Sequence, residues 1–219
     1  MDASTTQAVI GLIQNGACAA ERCWPSSRGN PGILVGQIQE LLEATATPWH
    51  SLDAILVGCG PGQYAGLRVS VTVAQTLQLP AHAQVAGICS AYALRAAAIT
   101  QVETASIIIC GDARRNHIWY YHWNPAEPHA QLPTMQCIPA SAFAEIPQAE
   151  GCIVASPDYE RLHERLLLPA NAHWIEGDQH PTASAMFQAA SQYPTVITAP
   201  DIRYVHPPVA TVPPKDSPA

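Results

Sequence analysis

Positive charge is scarce in this sequence. Ten Lys and Arg stand against seventeen Asp and Glu, a formal charge of −7 with histidine neutral, so the surface carries no broad cationic field to neutralise nucleic-acid phosphates. Were the chain to serve RNA chemistry, another molecule would hold the RNA. No apolar run approaches the roughly 20 residues that a membrane helix needs. No basic stretch followed by an apolar run marks a secretory leader, so the expected location is the cytoplasm, with no membrane partner. The seven cysteines form no C-x-x-C pair, and no H-x-x-x-H occurs, His117 and His122 being five apart. Buried reduced thiols are therefore expected in place of a metal site, and no cofactor. What the chain does have is apolar content: 48% over 219 residues is enough to bury one large core or two small ones.

The opening stretch, MDASTTQAVIGLIQNG, runs from polar to apolar and stops at Asn15-Gly16. That dipeptide supplies the positive φ angles of a tight hairpin turn, with ACAAERC as the returning strand. A helix is expected over 31–45, where Asn30 is a good N-cap, Pro31 suits the first position, and Ile33, Leu34, Ile38, Leu41 and Leu42 keep helical spacing. Ala54 to Cys59 is a short continuous apolar run, suited to a strand covered on both faces. A glycine loop and a helix over about 63–79 follow, in which Leu67, Val71, Ala74 and Leu77 or Gln78 recur at helical period. QVAGIC and SAYALRAAAIT repeat the strand–helix order, with Ser90 as a plausible cap.

The second half opens with a strand at 106–111, a turn from Asp112 to Asn116, and an aromatic strand at 117–123. Further strands are expected at 134–138 and 152–155, and helices near 157–168 and 182–192. Both halves begin with a strand pair and then alternate. The resulting division is an α/β subdomain over 1–103, a second over 104–199, and a proline-rich tail over 200–219, extended or disordered beyond about Ala210.

Residues 60–68, GPGQYAGLR, admit two readings. Backbone N–H groups at a helix start, approached closely through glycine, form an anion site. The loop matches neither G-x-x-x-x-G-K-[ST] nor the dinucleotide spacing, however, and Pro61 removes a donor. The second reading rests on Gly62, Gly66, Ser70 and Ala74, which recur every four residues and are echoed by Gly32 and Gly36 in the preceding helix. A ridge so bare lets another backbone approach closer than the usual 8–10 Å between helix axes, whether from this chain or from another. Arg68, a cation in the first turns, opposes the helix dipole and calls for a partner such as an acid.

ILVGC followed by GPGQYAGLR resembles the signature G-P-G-S-F-T-G-L-R of the TsaB (YeaZ) family, the non-catalytic subunit of the bacterial system that makes threonylcarbamoyladenosine in tRNA. MDAST resembles that family's D-T-S-T start, GDARRNHIWYYHW its D-A-R-x-x-x-x-Y segment, and YVHPPVA its closing Y-L-R-x-x-x-A. The matches run from Asp2 to Ala210.

The resemblance implies an α/β fold of the actin-like ATPase (ribonuclease H-like) type, two α/β subdomains with duplicated mixed sheets. It implies a TsaD-like transferase as partner, which holds the metal and performs the transfer, with a homodimer as the other assembly and tRNA met only indirectly through the complex. Gly32, Gly36, Gly62, Gly66, Ser70 and Ala74 would give close approach at that interface, Leu67 and Val71 apolar contact, Tyr64 its aromatic, and Arg68 a polar anchor. Asp2, Ser4 and Thr5 fall where actin-like ATPases place a phosphate-contacting turn, here without the glycine such a turn favours.

The chain also departs from the family pattern. Gln63, Tyr64 and Ala65 replace Ser-Phe-Thr, and His206 stands in place of Arg. SSRGNPG occupies the stretch before the first helix where a His is common, and Met1 directly precedes Asp2 where the family has an apolar strand.

A competing expectation is an ATP-dependent or hydrolytic enzyme in which Asp2 and Asp112 pair to hold Mg²⁺ or serve as acid and base. Each has a plainer role, Asp2 at a strand end and Asp112 in a turn. The missing H-x-x-x-H separates the chain from the catalytic relatives and from the old glycoprotease description. In a third reading Trp119, Tyr120 and Tyr121 stack on RNA bases, which the acidity opposes.

Overall fold

The computed structural model describes residues 1–26, 31–101, 106–124, 132–147 and 151–205. At Asn15 and Gly16, φ values of 53° and 79° make the expected tight turn. It joins β1 (Gln7–Gln14) to β2 (Ala17–Pro25), antiparallel with a bulge between Leu12 and Ile13. α1 (Pro31–Ala44) buries Leu34, Ile38, Leu41 and Leu42 against Ile10 and Leu12 of β1. Ile33, expected in that core stripe, points outward instead. The other four residues already close the helix's inner face, and Ile33 sits a hundred degrees round from Leu34. The Asn30 cap lies outside the described residues.

β3 (Ala54–Gly58) pairs in parallel with β4 (Gln84–Ile88), and α2 (Tyr64–Ala81) makes the crossover. α3 (Ser90–Ala98) starts one residue earlier than a Ser90 cap requires. Cys89 occupies the cap position and Ser90 is already helical, its hydroxyl drawn away to an acid.

β5 (Ile107–Arg114) and β6 (His117–Trp123) form the second hairpin. Its turn falls at 114–116, where Arg114, Arg115 and Asn116 all have positive φ, so Asp112 belongs to the strand and not to the turn. β7 (Gln136–Pro139), β8 (Ile153–Ala155) and β9 (His173–Trp174) complete a five-stranded sheet in the order β7-β6-β5-β8-β9. β5 is antiparallel to β6 and parallel to β8. Its side chains alternate, Ile107 and Ile109 entering one core and Ile108 and Cys110 another, as a strand covered on both faces requires.

The helix expected near 157–168 shrinks to α4 (Tyr159–Leu162). α5 (Ala183–Gln192), capped by the Thr182 hydroxyl, packs on α3 and β1. The fold is thus mixed α/β in both halves. The first-half sheet, however, consists of two separate pairs, β1-β2 and β3-β4. Among the described residues Met1 and Asp2 make the backbone link between them: Asp2 bridges to Val9, and the Met1 carbonyl accepts the Gly58 N–H at 2.9 Å.

Candidate functional site

Residues 59–63 connect β3 to α2, and the chain itself occupies this loop's hydrogen-bonding groups. Gly60 N–H donates to the Ser90 hydroxyl at 3.1 Å and the Gly60 carbonyl accepts from Ser90 N–H at 2.8 Å. Gln63 N–H donates to the Ser4 carbonyl at 2.7 Å, and the Cys59 carbonyl accepts from Arg203 N–H at 2.7 Å. A phosphate cradle needs such donors free. Two of them face Ser4 and Ser90, and Pro61 has none, so the loop is built as a structural joint.

The turn of Asp2, Ser4 and Thr5 lies directly beneath. Asp2 is 2% exposed, accepting Ser4 N–H on Oδ1 and the Ser90 hydroxyl on Oδ2, both at 2.6 Å. Gly58 makes the room, since a β-carbon there would run into the carboxylate. The Thr5 hydroxyl donates to the Gln7 carbonyl at 2.7 Å and lies 2.9 Å from His180 Nδ1. Burial holds that imidazole below its usual pKa, against the pull of Asp178 and Asp158. The Ser4 hydroxyl alone in this turn has no partner among the described residues.

Asp112 sits elsewhere. Its carboxylate accepts Arg114 N–H at 2.8 Å and pairs with the Arg114 and Arg161 guanidiniums at 3.2 and 3.8 Å. Its N–H donates to Asp158, which also pairs with Arg161. The Asp2 and Asp112 networks share no residue, so the structure does not assemble the expected acid pair. Among the described residues no cluster of three or more His, Cys, Asp or Glu could hold a metal. Trp119 and Tyr121 are buried in the main core and Tyr120 packs edge-on to Phe143, so this strand offers no open platform for bases.

The bare ridge of α2 is turned inward. β-carbons at Gly62 and Gly66 would collide with the backbone of Ser4 and Ala3 respectively. Ser70 and Ala74 are fully buried, as are Leu67 and Val71. The close approach foreseen for a foreign helix is made here by this chain's own first turn. Of the expected interface residues, Tyr64, Arg68 and Gly62 are exposed and Gly36 is half-exposed, with no atom within 4 Å of where a Gly36 β-carbon would stand. The surroundings of Gly32, like His206, lie outside the described residues.

Arg68 finds an aromatic partner where an acid was expected. Its guanidinium donates to the Tyr64 hydroxyl at 2.9 Å and lies 5.3 Å above the same ring, and Tyr64 packs on Tyr204. Sequence reasoning missed Val35 on α1 and Leu79 on α2, which are exposed as Ile33 and Tyr64 are. The signal was present: both fall outside the stripe of residues that helical spacing assigns to the core.

Comparison with known proteins adds sequence and fold. Residues 27–151 match the family model described as TsaD: tRNA N6-adenosine threonylcarbamoyltransferase. The tRNA threonylcarbamoyladenosine biosynthesis protein TsaB of Haemophilus influenzae is 29% identical over 120 residues, 55% of this chain and 50% of that protein. The Escherichia coli protein of the same name is 22% identical over 58% of this chain and 54% of its own length. An uncharacterized protein of Mycobacterium leprae is 27% identical over 55% of this chain and 33% of its own. The chain thus spans at most about half the length of the curated relatives it matches. Two solved structures share the fold at 18% identity: a protein with similarity to peptidase YEAZ from Pseudomonas aeruginosa, with a TM-score of 0.76 over 94% of this chain and 97% of that one, and YeaZ from Pseudomonas aeruginosa, with a TM-score of 0.70 over 89% and 90%.

Proposed function

We propose, from the premise that this chain belongs to the family described as tRNA N6-adenosine threonylcarbamoyltransferase, in its TsaB (YeaZ) branch, that it is a non-catalytic subunit which activates a TsaD-type transferase in tRNA threonylcarbamoyladenosine biosynthesis. It works in the cytoplasm, meets tRNA only through the complex, and is organised as the two subdomains and tail read from the sequence. A homodimer through the same surface is the competing assembly.

One observation carries the reading: α1 and α2 leave Ile33, Val35, Tyr64 and Leu79 exposed on the half of the molecule whose carboxylate and glycine loop are engaged internally. Exposed apolar side chains on adjoining helices suit a partner surface. The contact residues proposed are therefore Ile33, Val35, Gly36, Tyr64, Arg68 and Leu79, with the buried ridge serving the fold. No helix among the described residues is long and apolar enough to cross a membrane.

Co-purification with a TsaD-type transferase tests this. The Val35→Asp, Leu79→Asp double variant should stay folded and lose binding about a hundredfold, equivalent to about 2.7 kcal/mol. Undiminished binding by that variant removes α1 and α2 from the interface.

A further inference from the structure

α3 and α5 pack against each other, and between the end of the first and the start of the second lies a cavity of about 330 Å³. Ala97 of α3, Gln101 just beyond it, Gln179, His180, and Ser184 and Gln188 of α5 are in its wall, and no Asp, Glu, Lys or Arg lines it among the described residues. The volume stands at the lower end of the range for ligand sites, about 300–1,000 Å³. A charged guest would lose hydration there and meet no counter-charge in the wall.

The hydrogen-bonding roles of the wall follow from its neighbours. The single proton of the Thr5 hydroxyl goes to the Gln7 carbonyl at 2.7 Å, so at its 2.9 Å contact with His180 the hydroxyl accepts and Nδ1 donates. The neutral ring, which burial favours, therefore keeps a bare lone pair on Nε2, on the edge away from Thr5. Gln179 is 8% exposed and spends both amide hydrogens on the Glu176 and Gly177 carbonyls, at 3.2 and 3.1 Å. Its orientation is thereby fixed. Oε1 accepts the Gln101 amide at 2.8 Å and retains a second lone pair. On the α5 wall, Ala183 N–H donates to the Glu21 carboxylate at 2.5 Å and Ala185 N–H to the Thr182 hydroxyl at 3.1 Å. The Ser184 N–H between them, in the first helical turn, is left without a partner among the described residues.

We propose that this cavity binds a small uncharged molecule through a primary carboxamide, whose two N–H groups donate to His180 Nε2 and Gln179 Oε1 and whose carbonyl accepts from Ser184 N–H. The wall presents two acceptors and one donor, and a carboxamide presents the converse. An ammonium has no acceptor for Ser184, and a carboxylate has no donor for His180 or Gln179. Protonation of His180 turns its acceptor into a donor, so acid should exchange the preference from carboxamide to carboxylate. Asp178 and Asp158 pull the imidazole toward that charged form. Glu21 holds its carboxylate at the α5 start, Thr5 is uncharged, and α3 turns no charged side chain to the cavity.

The test titrates the full chain with butyramide, butyrate and butylamine, following the backbone amide signals of Gln179 and Ser184 and the imidazole nitrogens of His180 by NMR. Butyramide should bind with a Kd of about 1 mM at about pH 8, in keeping with its few non-hydrogen atoms, and the two charged analogues at least about tenfold more weakly. Between about pH 8 and pH 5 butyramide should weaken about tenfold while butyrate strengthens, and His180→Gln should abolish that exchange. Gln188→Trp, a change at an exposed rim position, should block the cavity in a chain that circular dichroism shows to be folded. A blocked glutamine, N-acetylglutamine methylamide, separates two sources of the same group: tighter binding than butyramide assigns the site to a glutamine side chain of another protein, and equal binding to a free small molecule. Absence of signal changes at about 20 mM butyramide overturns the proposal. So does butyrate or butylamine binding as tightly as butyramide at about pH 8, undiminished binding by Gln188→Trp, or a neutral His180 with its proton on Nε2. None of these readouts involves a transferase, so the site and the subunit role fail separately.

Discussion

In the second half β5 ties a hairpin and a parallel pair into one five-stranded sheet, whereas in the first half the hairpin β1-β2 and the pair β3-β4 remain apart. Beyond the short backbone link through Met1 and Asp2, side chains hold those two pieces together where a continuous ladder does so in the other half. Met1, Leu52 and Leu77 pack against both the cluster around Ile10, Leu34 and Ile38 and the cluster around Ile55, Val57 and Ala74. A sheet continuous through its ladder opens as a unit, while pieces joined by half-buried side chains can open locally. The half with the divided sheet also carries the exposed apolar residues of α1 and α2, so the proposed binding surface lies on the half whose sheet is divided.

Charge placed in the two joints should sharpen that contrast most. Ile109→Asp buries an unpaired carboxylate in the middle of β5, where Ile109 is fully enclosed, and should cost more than about 4 kcal/mol, leaving little folded protein in a urea titration. Leu56→Asp, half-buried on β3 at the break between the two strand pairs, should cost about 1–2 kcal/mol, because water reaches the new charge. Equal costs would mean that this break is as tightly closed as the second sheet.

The glycines divide the same way within the first half. Gly66→Leu forces a side chain into the Ala3 backbone and should cost about 3 kcal/mol or more, unfolding much of the protein near its working temperature. At Gly36 a β-carbon meets no neighbouring element among the described residues, so Gly36→Leu should change stability by under about 1 kcal/mol while weakening partner binding. Thermal unfolding of the two variants separates the ridge used for folding from the one left open.

Much of this fold was legible because its signals are local. Asn15-Gly16 announced its turn, Pro31 its helix start, and the apolar runs at 54–59 and 106–111 announced β3 and β5. Signals that depend on a distant neighbour failed. Ser90 looks like a cap until Asp2, eighty-eight residues earlier, claims its hydroxyl. Spacing showed that α2 has a bare ridge, and only the position of Ala3 and Ser4 shows which backbone lies in it. Asp112 reads as a turn former because the strand's length is set by pairing with β6, which sequence periodicity does not report. The break between β1-β2 and β3-β4 could not be read at all, since it lies between elements and belongs to no segment.

Acidity should probe the first-half joint at a smaller scale. Burial holds the His180 imidazole, 2.9 Å from the Thr5 hydroxyl, below its usual pKa. The unfolded state therefore binds more protons just below the ordinary histidine pKa of about 6.5, and stability rises with pH across that window. Urea titrations at about pH 5 and 7.5 should differ less in His180→Gln than in the parent protein, and an unchanged difference would assign the slope to other groups.

The smallest effect on folding is expected at Arg68. Its guanidinium lies over the Tyr64 ring at an exposed position, a geometry worth about 0.5–1 kcal/mol, and among the described residues no acid pairs with it. Arg68→Ala should therefore lower stability by less than about 1 kcal/mol, and a double-mutant cycle with Tyr64→Leu should place most of that loss in the pair. In the interface proposed above, stability and recognition would part company at this residue: an arginine held on a tyrosine, itself packed on Tyr204, would meet an anionic group of the partner at little folding gain. A stability loss above about 2 kcal/mol would instead make Arg68 part of the fold's support, and the outer face of α2 would then resemble its inner ridge, a surface spent on the chain's own packing.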